Sequence, residues 1–117
     1  MIRLANRHPR VNILQPGTGV GGHCIAVDPW FIVHEGGEDA RLIRSGREVN
    51  TRKTEWVVEK VQNEVLAFRE DKGREPVVAC MGLAFKPNID DLRESPALWV
   101  FQKLVAAGLI QWLLSRT

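Results

Sequence analysis

Cys24 closes a glycine-dense stretch, Gly17-Thr18-Gly19-Val20-Gly21-Gly22-His23-Cys24, in which four of eight positions lack a side chain. Such a stretch serves unusual backbone angles or a close approach of main chain to something else. A thiol at its end has two readings: a thiolate that a substrate can reach and nearby amides can stabilise, or the commoner buried and inert cysteine. His23 is adjacent to Cys24 and its side chain points elsewhere, whereas Asp28, four positions on, shares a helical face with Cys24 if the intervening turn forms. The glycines also match the dinucleotide fingerprint GxGxxG. That fingerprint needs a strand before it and a helix N-terminus after it, and here Pro16 ends the preceding apolar run while Pro29 follows within about one helical turn. Two readings remain, a loop whose amides approach some other ligand and a plain tight turn.

A second set of candidates lies in Gly82-Leu83-Ala84-Phe85-Lys86-Pro87-Asn88-Ile89-Asp90-Asp91-Leu92-Arg93-Glu94-Ser95-Pro96. It joins the carboxyl end of a predicted strand to a helix N-terminus, the place where open α/β sheets bind ligands. Lys86 and Arg93 bring positive charge suited to phosphate oxygens. The competing reading is a surface ion network of Asp90, Asp91, Arg93 and Glu94 that also caps the helix. Two adjacent aspartates are too little for a metal site.

The elements that must position these groups follow from pattern. Val11 to Leu14 is a short β-like run, and Trp30 to Val33 is a second short apolar run, with Pro29 expected to keep Asp28 out of the α region. From Glu38 to about Glu70 only Gly46 interrupts a helix, and Gly73 and Pro76 supply its stop signals. Val57, Val61, Val65 and Phe68 form its apolar stripe, which turns polar in the earlier half through Arg47 and Asn50. Such a helix reads as a connector or dimer strut. Val77 to Met81 has no polar alternation and reads as a buried parallel strand, with Cys80 inside it as a structural residue. Ser95-Pro96 then opens a helix with an N-cap serine and a proline in the first turn.

From Ala97 to Leu114 the chain is apolar except for Gln102, Lys103, Gly108 and Gln111, and it reads as one helix that a sheet or a partner must cover. Lys103 makes a bilayer span costly. On this reading no second strand follows, so the strand-loop-helix unit has an unpaired strand. The expected fold is mainly α with a short β element: a long central dimerisation helix plus the first strand-loop-helix of a truncated Rossmann-like domain. Its boundaries fall at 1–74 for the cysteine loop and central helix and at 75–117 for the second module.

Composition sets the class. With 117 residues, 44% hydrophobic and 26% charged, the chain has the make-up of an ordinary globular domain. A net charge of +2 is too small for the electrostatic footprint of a nucleic-acid binder. Two isolated cysteines and a charged N-terminus give neither a disulfide framework nor a signal peptide, so a reducing cytoplasm is expected.

Taken together, Gly19-Val20-Gly21-Gly22-His23-Cys24 with Asp28-Pro29, and Gly82 through Pro96, resemble the UDP-glucose and GDP-mannose dehydrogenase family. His23 before the cysteine and Asp28-Pro29-Trp30-Phe31 after it are similar to the N-acetylhexosamine branch; the UDP-glucose branch usually has serine and lysine where this chain has His23 and Val27. The resemblance implies oxidation of the C6 alcohol of a UDP-N-acetylhexosamine, N-acetylmannosamine or N-acetylglucosamine, to a carboxylate with two NAD⁺. It implies that Cys24 is the nucleophile that captures the C6 aldehyde and that Asp28 is the carboxylate that orders the active-site water. Gly21, Phe85 and Lys86 match substrate contacts, His8 and Arg10 a pair reaching the substrate across a dimer interface, and Arg93 the arginine on the NAD pyrophosphate. No metal is implied. The family's NAD-binding domain and upstream catalytic lysine and asparagine have no counterpart in these residues, so the chain alone is expected to be inactive.

Overall fold

The computed structural model describes residues 2–10, 12 and 15–114. Helix α1 (Ile2–Ala5) is followed by α2 (Asp28–Gly36), a 3-10 turn (Gly37–Ala40), α3 (Arg41–Lys72), β1 (Val78–Met81), α4 (Pro96–Ala106) and β2 (Ile110–Leu114). The protein is mainly helical with a short β element, as expected. Of the run Val11 to Leu14, residues 11, 13 and 14 lie outside the described residues.

The apolar run Trp30 to Val33 belongs to α2, and Asp28 is the first residue of that helix. Proline in a first turn removes only an N–H that has no helical partner. The chain enters α2 through a turn in which the amides of Val27 and Asp28 both donate to the Cys24 carbonyl, at 3.2 and 2.8 Å. These local bonds outweigh the bias that Pro29 places on Asp28.

Helix α3 begins at Arg41, three residues later than expected, because Gly37–Ala40 winds as 3-10. Its thirty-two residues span about 48 Å, close to the 51 Å long axis of the molecule. Gly73, at φ 62°, ends it by donating to the Arg69 carbonyl at 2.9 Å. Val65 on the expected stripe is buried, and Val61, Val65 and Phe68 line a groove with Pro76 and Val78.

The second module departs from the sequence reading. The apolar run after Ser95 does not continue as one helix: α4 stops at Ala106, and the chain returns as β2, paired parallel to β1 with Val78 opposite Ile110 and Met81 opposite Leu114. The strand is therefore not alone, and β1-α4-β2 is a complete βαβ unit. Gly108 makes the difference. It sits at φ 70° and donates to the Val105 carbonyl at 2.9 Å, while Leu109 donates to the Leu104 carbonyl at 3.0 Å. That pair of bonds is a Schellman cap, which reverses the chain at a left-handed residue. Among the described residues no helix is long and apolar enough to cross a membrane.

The enclosed core is small. Ala26, Val33, Ala40, Val65, Val100 and Leu104 are buried, with Thr54 and Ser95 among them. Leu42, Val49 and Trp56, seven residues apart along α3, are exposed at 85, 70 and 46%. Replacing Gly108→Ala forces a side chain into the left-handed region and is expected to cost ~1–2 kcal/mol; the change in urea midpoint at unchanged slope measures it.

Candidate functional site

The glycine loop lies between α3 and the turn that opens α4. On the α3 side it is held by hydrogen bonds. Asn50 accepts from the Val20 amide through Oδ1 at 2.7 Å and donates from Nδ2 to the Val20 carbonyl at 3.2 Å. One helical turn on, the Thr54 hydroxyl donates to the Thr18 carbonyl at 2.9 Å. The polar half of the α3 stripe therefore grips main chain. Arg47, on the same face, has its Nε buried and without a hydrogen-bond partner.

On the other side the contacts are steric. A Cβ on Gly21 would run into the Glu94 carbonyl oxygen, stand 2.6 Å from Pro96 Cδ and 2.9 Å from Phe85 Cβ. Gly22 faces the Phe85 ring, with Cε2 3.0 Å from where its Cβ would be. Of the fingerprint's glycines, Gly19 stands against Thr54 and Pro96 and Gly22 against Phe85, so these two do not cradle a pyrophosphate, while Gly17 faces open space. No strand-to-helix turn follows them either, and the GxGxxG reading falls away.

The turn that Gly21 meets is itself constrained. Glu94 has φ 47°, a left-handed conformation that costs an L-residue free energy and persists where surrounding structure over-determines it. Ser95 is the expected N-cap: its hydroxyl accepts from the Leu98 amide at 3.4 Å and donates to the Leu83 carbonyl at 2.5 Å. One buried hydroxyl thereby ties the start of the loop after β1 to its end.

That loop encloses a pocket of about 420 Å³ above the carboxyl end of β1, lined by residues including Gly82, Leu83, Lys86, Asn88, Asp90 and Leu92. Lys86 is exposed, with Nζ 5.7 Å from the Phe85 ring centroid. Phe85 thus touches the glycine loop on one side and the Lys86 ammonium on the other. Arg93 is occupied otherwise: its guanidinium bonds Asp91 at 2.7 and 3.0 Å, and its amide donates to the same carboxylate. This is part of the ion network offered as the alternative reading. The Arg93 guanidinium and amide, with a smaller contribution from the His23 charge, hold the Asp91 carboxyl down at about 2.

Cys24 is exposed at the end of the glycine loop. Asp28 is exposed at the start of α2, joined to Cys24 through the backbone bond already described. Cys80 is half-buried in β1, its Sγ 3.8 Å from the Gly82 carbonyl, and burial pushes its thiol up. His8 and Arg10 are exposed beyond α1, where the Arg10 amide donates to His8 Nδ1 at 3.3 Å. The structure therefore brings Gly21, Phe85 and Lys86 together beside the Cys24 loop. It joins Asp28 to Cys24 and commits Arg93 to Asp91. Among the described residues no cluster of His, Cys, Asp and Glu could hold a metal ion.

Residue type does not mark Asn50 and Thr54 as site residues: they are polar positions on an apolar helical stripe, and their partners lie 30 and 36 positions away.

Residues 1–52 match the UDP-glucose/GDP-mannose dehydrogenase family, central domain, and residues 79–111 match the UDP binding domain of the same family. The chain belongs to that family. It is 65% identical over 115 residues to the UDP-N-acetyl-D-mannosamine dehydrogenase of Escherichia coli strain K12, covering 96% of this chain and 26% of the relative. It is 61% identical over 109 residues to an NDP-N-acetyl-D-galactosaminuronic acid dehydrogenase of Ralstonia nicotianae, covering 93% and 25%. A solved UDP-N-acetyl-mannosamine dehydrogenase from S. aureus superposes with a TM-score of 0.71 at 41% identity, over 99% of this chain and 26% of that one. The chain spans about a quarter of the length of the curated relatives it matches. The stretch matched to the central domain contains the glycine loop and the stretch matched to the UDP binding domain contains α4 and its opening turn, so the contact at Gly21 joins the two matched stretches.

Two outcomes test this geometry. Gly21→Ala is expected to destabilise the chain by ~1–3 kcal/mol through overpacking against the Glu94 carbonyl, read as a lowered denaturant midpoint. Because the Asp91 pKa is depressed on folding, its pairing contributes stability above the ordinary carboxylate range and is lost as pH falls toward 2. In a carboxyl NMR titration, Arg93→Ala should raise the Asp91 pKa part of the way back toward the ordinary aspartate range, the share held by the residue-93 amide remaining.

Proposed function

We propose that this chain is the portion of a nucleotide-sugar 6-dehydrogenase that presents the nucleophilic cysteine and the phosphate-facing loop of the UDP site. UDP-N-acetyl-D-mannosamine is the substrate, in the supply of precursors for bacterial surface polysaccharide. The observation that carries this reading is the packing of the Cys24 loop on Phe85 and the Glu94–Pro96 turn, which supports a site shared by the thiol-bearing loop and the loop that carries Lys86. High identity to UDP-N-acetyl-D-mannosamine dehydrogenases supports the choice of sugar. The similar identity to the Ralstonia protein keeps a different N-acetylhexosamine as the second reading.

In this reading residues 1–74 are the cysteine loop and central helix and 75–117 the start of the UDP-binding unit. The exposed Cys24 thiolate adds to C6 of the sugar aldehyde; the S–C bond forms and the carbonyl oxygen takes a proton, giving a thiohemiacetal. Dividing a difficult oxidation through a covalent adduct is the use of such a nucleophile. At the thioester stage, water attacks the acyl carbon and the thiol leaves, with Asp28, one turn away, positioned to order that water. Lys86 holds a phosphate oxygen, Gly21 and Phe85 line the substrate's path, and His8 and Arg10 reach a neighbouring copy's substrate. The exposed Leu42, Val49 and Trp56 seam on α3 supports a homodimer built on that helix.

The dehydrogenase's nicotinamide cofactor accepts the hydrides. The described residues do not fit it: the spaces beside Gly19 and Gly22 are filled by Thr54, Pro96 and Phe85, and Arg93, the residue matched to its pyrophosphate, is paired with Asp91. No hydride step is assigned to this chain, which acts in the cytoplasm as part of a larger assembly of domains.

Calorimetry and amide NMR with UDP test the reading. UDP is expected to shift the amides of residues 82–90, and Lys86→Ala to weaken binding about tenfold, the loss of one charge-assisted hydrogen bond. The chain alone is expected not to reduce NAD⁺ with UDP-N-acetylmannosamine. An absence of shifts at millimolar UDP, or turnover by the isolated chain, would contradict the reading.

A further inference from the structure

The two sides of the glycine loop are held by different physics. Against Phe85 and Pro96 it is confined only by shape, which stops it moving in one direction and does not fix its register. Against α3 it is fixed by directed bonds from Asn50 and Thr54. Val20 has both its amide and its carbonyl engaged by one side chain. A primary amide accepts from the one and donates to the other through two separate atoms held in one plane, whereas an ionised carboxylate has no donor. Glutamine carries the same group one methylene further out.

Val20 lies four residues before Cys24, and two of the three intervening residues, Gly21 and Gly22, lack the side chains that would stiffen the chain. On the far side of Cys24, its carbonyl is tied into the turn entering α2. The thiol therefore sits on a short span anchored at Val20 before it and at α2 after it, and α2 itself packs on α3. We infer that Asn50 is a positioning residue for Cys24: its amide sets the register of the glycine loop on α3 and so the place where the thiol is presented. The inference rests on the nucleophilic role given to Cys24 above. Thr54, buried one turn on, anchors Thr18 and so fixes the loop's entry on the helix. Because Asn50 and Cys24 lie on parts joined through α3, a shift of the helix face carries the thiol with it.

The test uses the 117-residue chain with Asn50→Ala and the size-conserving Asn50→Asp. Amide hydrogen exchange by NMR reads the loop, and alkylation by iodoacetamide with peptide mass spectrometry reads Cys24 against Cys80 in β1 as an internal reference. Asn50→Ala is expected to raise exchange at Val20 about tenfold, the loss of a hydrogen bond from a locally opening segment. It is also expected to change the Cys24 to Cys80 alkylation ratio at least about threefold while α3 amides keep their protection. Asn50→Asp, which keeps an acceptor for the Val20 amide and loses the donor, should move the alkylation ratio in the same direction by less. Parallel changes at both cysteines, or an unchanged Val20 amide, would overturn the inference. The nucleophilic role is read separately, from adduct formation by the unmodified chain with a UDP-sugar 6-aldehyde; its failure leaves the exchange and alkylation ratios standing.

Discussion

The contact that the rest of this structure depends on is the seating of the Gly21 main chain against the Glu94 carbonyl and Pro96. A side chain at that position has nowhere to go, and the loop reaches this depth only because none is present. The turn it meets is held in place from the other side by the buried Ser95 hydroxyl, bonded at once to Leu83 and to the first turn of α4. Two loops far apart in sequence thereby share one surface, one bearing an exposed thiol and the other a lysine-rimmed pocket. Without that seating the glycine loop would keep its bonds to α3 and lose its relation to the nucleotide-facing loop.

The long helix supplies the frame. Its thirty-two residues carry apolar side chains toward β1 at one end and hydrogen-bonding side chains toward the glycine loop at the other. A single continuous helix thus relates both stretches with few degrees of freedom, which suits a site assembled from parts of each. The surface charges along it, such as Arg52 with Glu55 and Glu59, are exposed pairs, which contribute little net stability. Packing and main-chain recognition carry the architecture instead.

Arg93 shows why local chemistry and function need separate arguments. In sequence it is a cation at the carboxyl end of a parallel strand, a natural phosphate ligand. In the folded chain it makes a bidentate pair with Asp91 that holds the carboxylate well below its ordinary range. An anion that takes Arg93 must therefore displace a neighbour already in place. Lys86 faces no comparable competitor among the described ion pairs and lies on the pocket itself.

The sequence by itself determined the two motifs, the family they resemble, the helical stripe of α3, the Ser95-Pro96 start of α4 and the structural place of Cys80. Each of these is local, a matter of residue type at short spacing. It did not determine that Gly108 turns the chain back to pair with β1, because an unbroken apolar composition hides a single left-handed residue whose effect depends on the bonds it closes. Nor did it determine that Asn50 and Thr54 grip the glycine loop, since a polar residue on a helical stripe has many partners until the fold brings one within 3 Å. Tertiary structure decided those points because main-chain hydrogen bonds and close packing join segments that local pattern cannot relate.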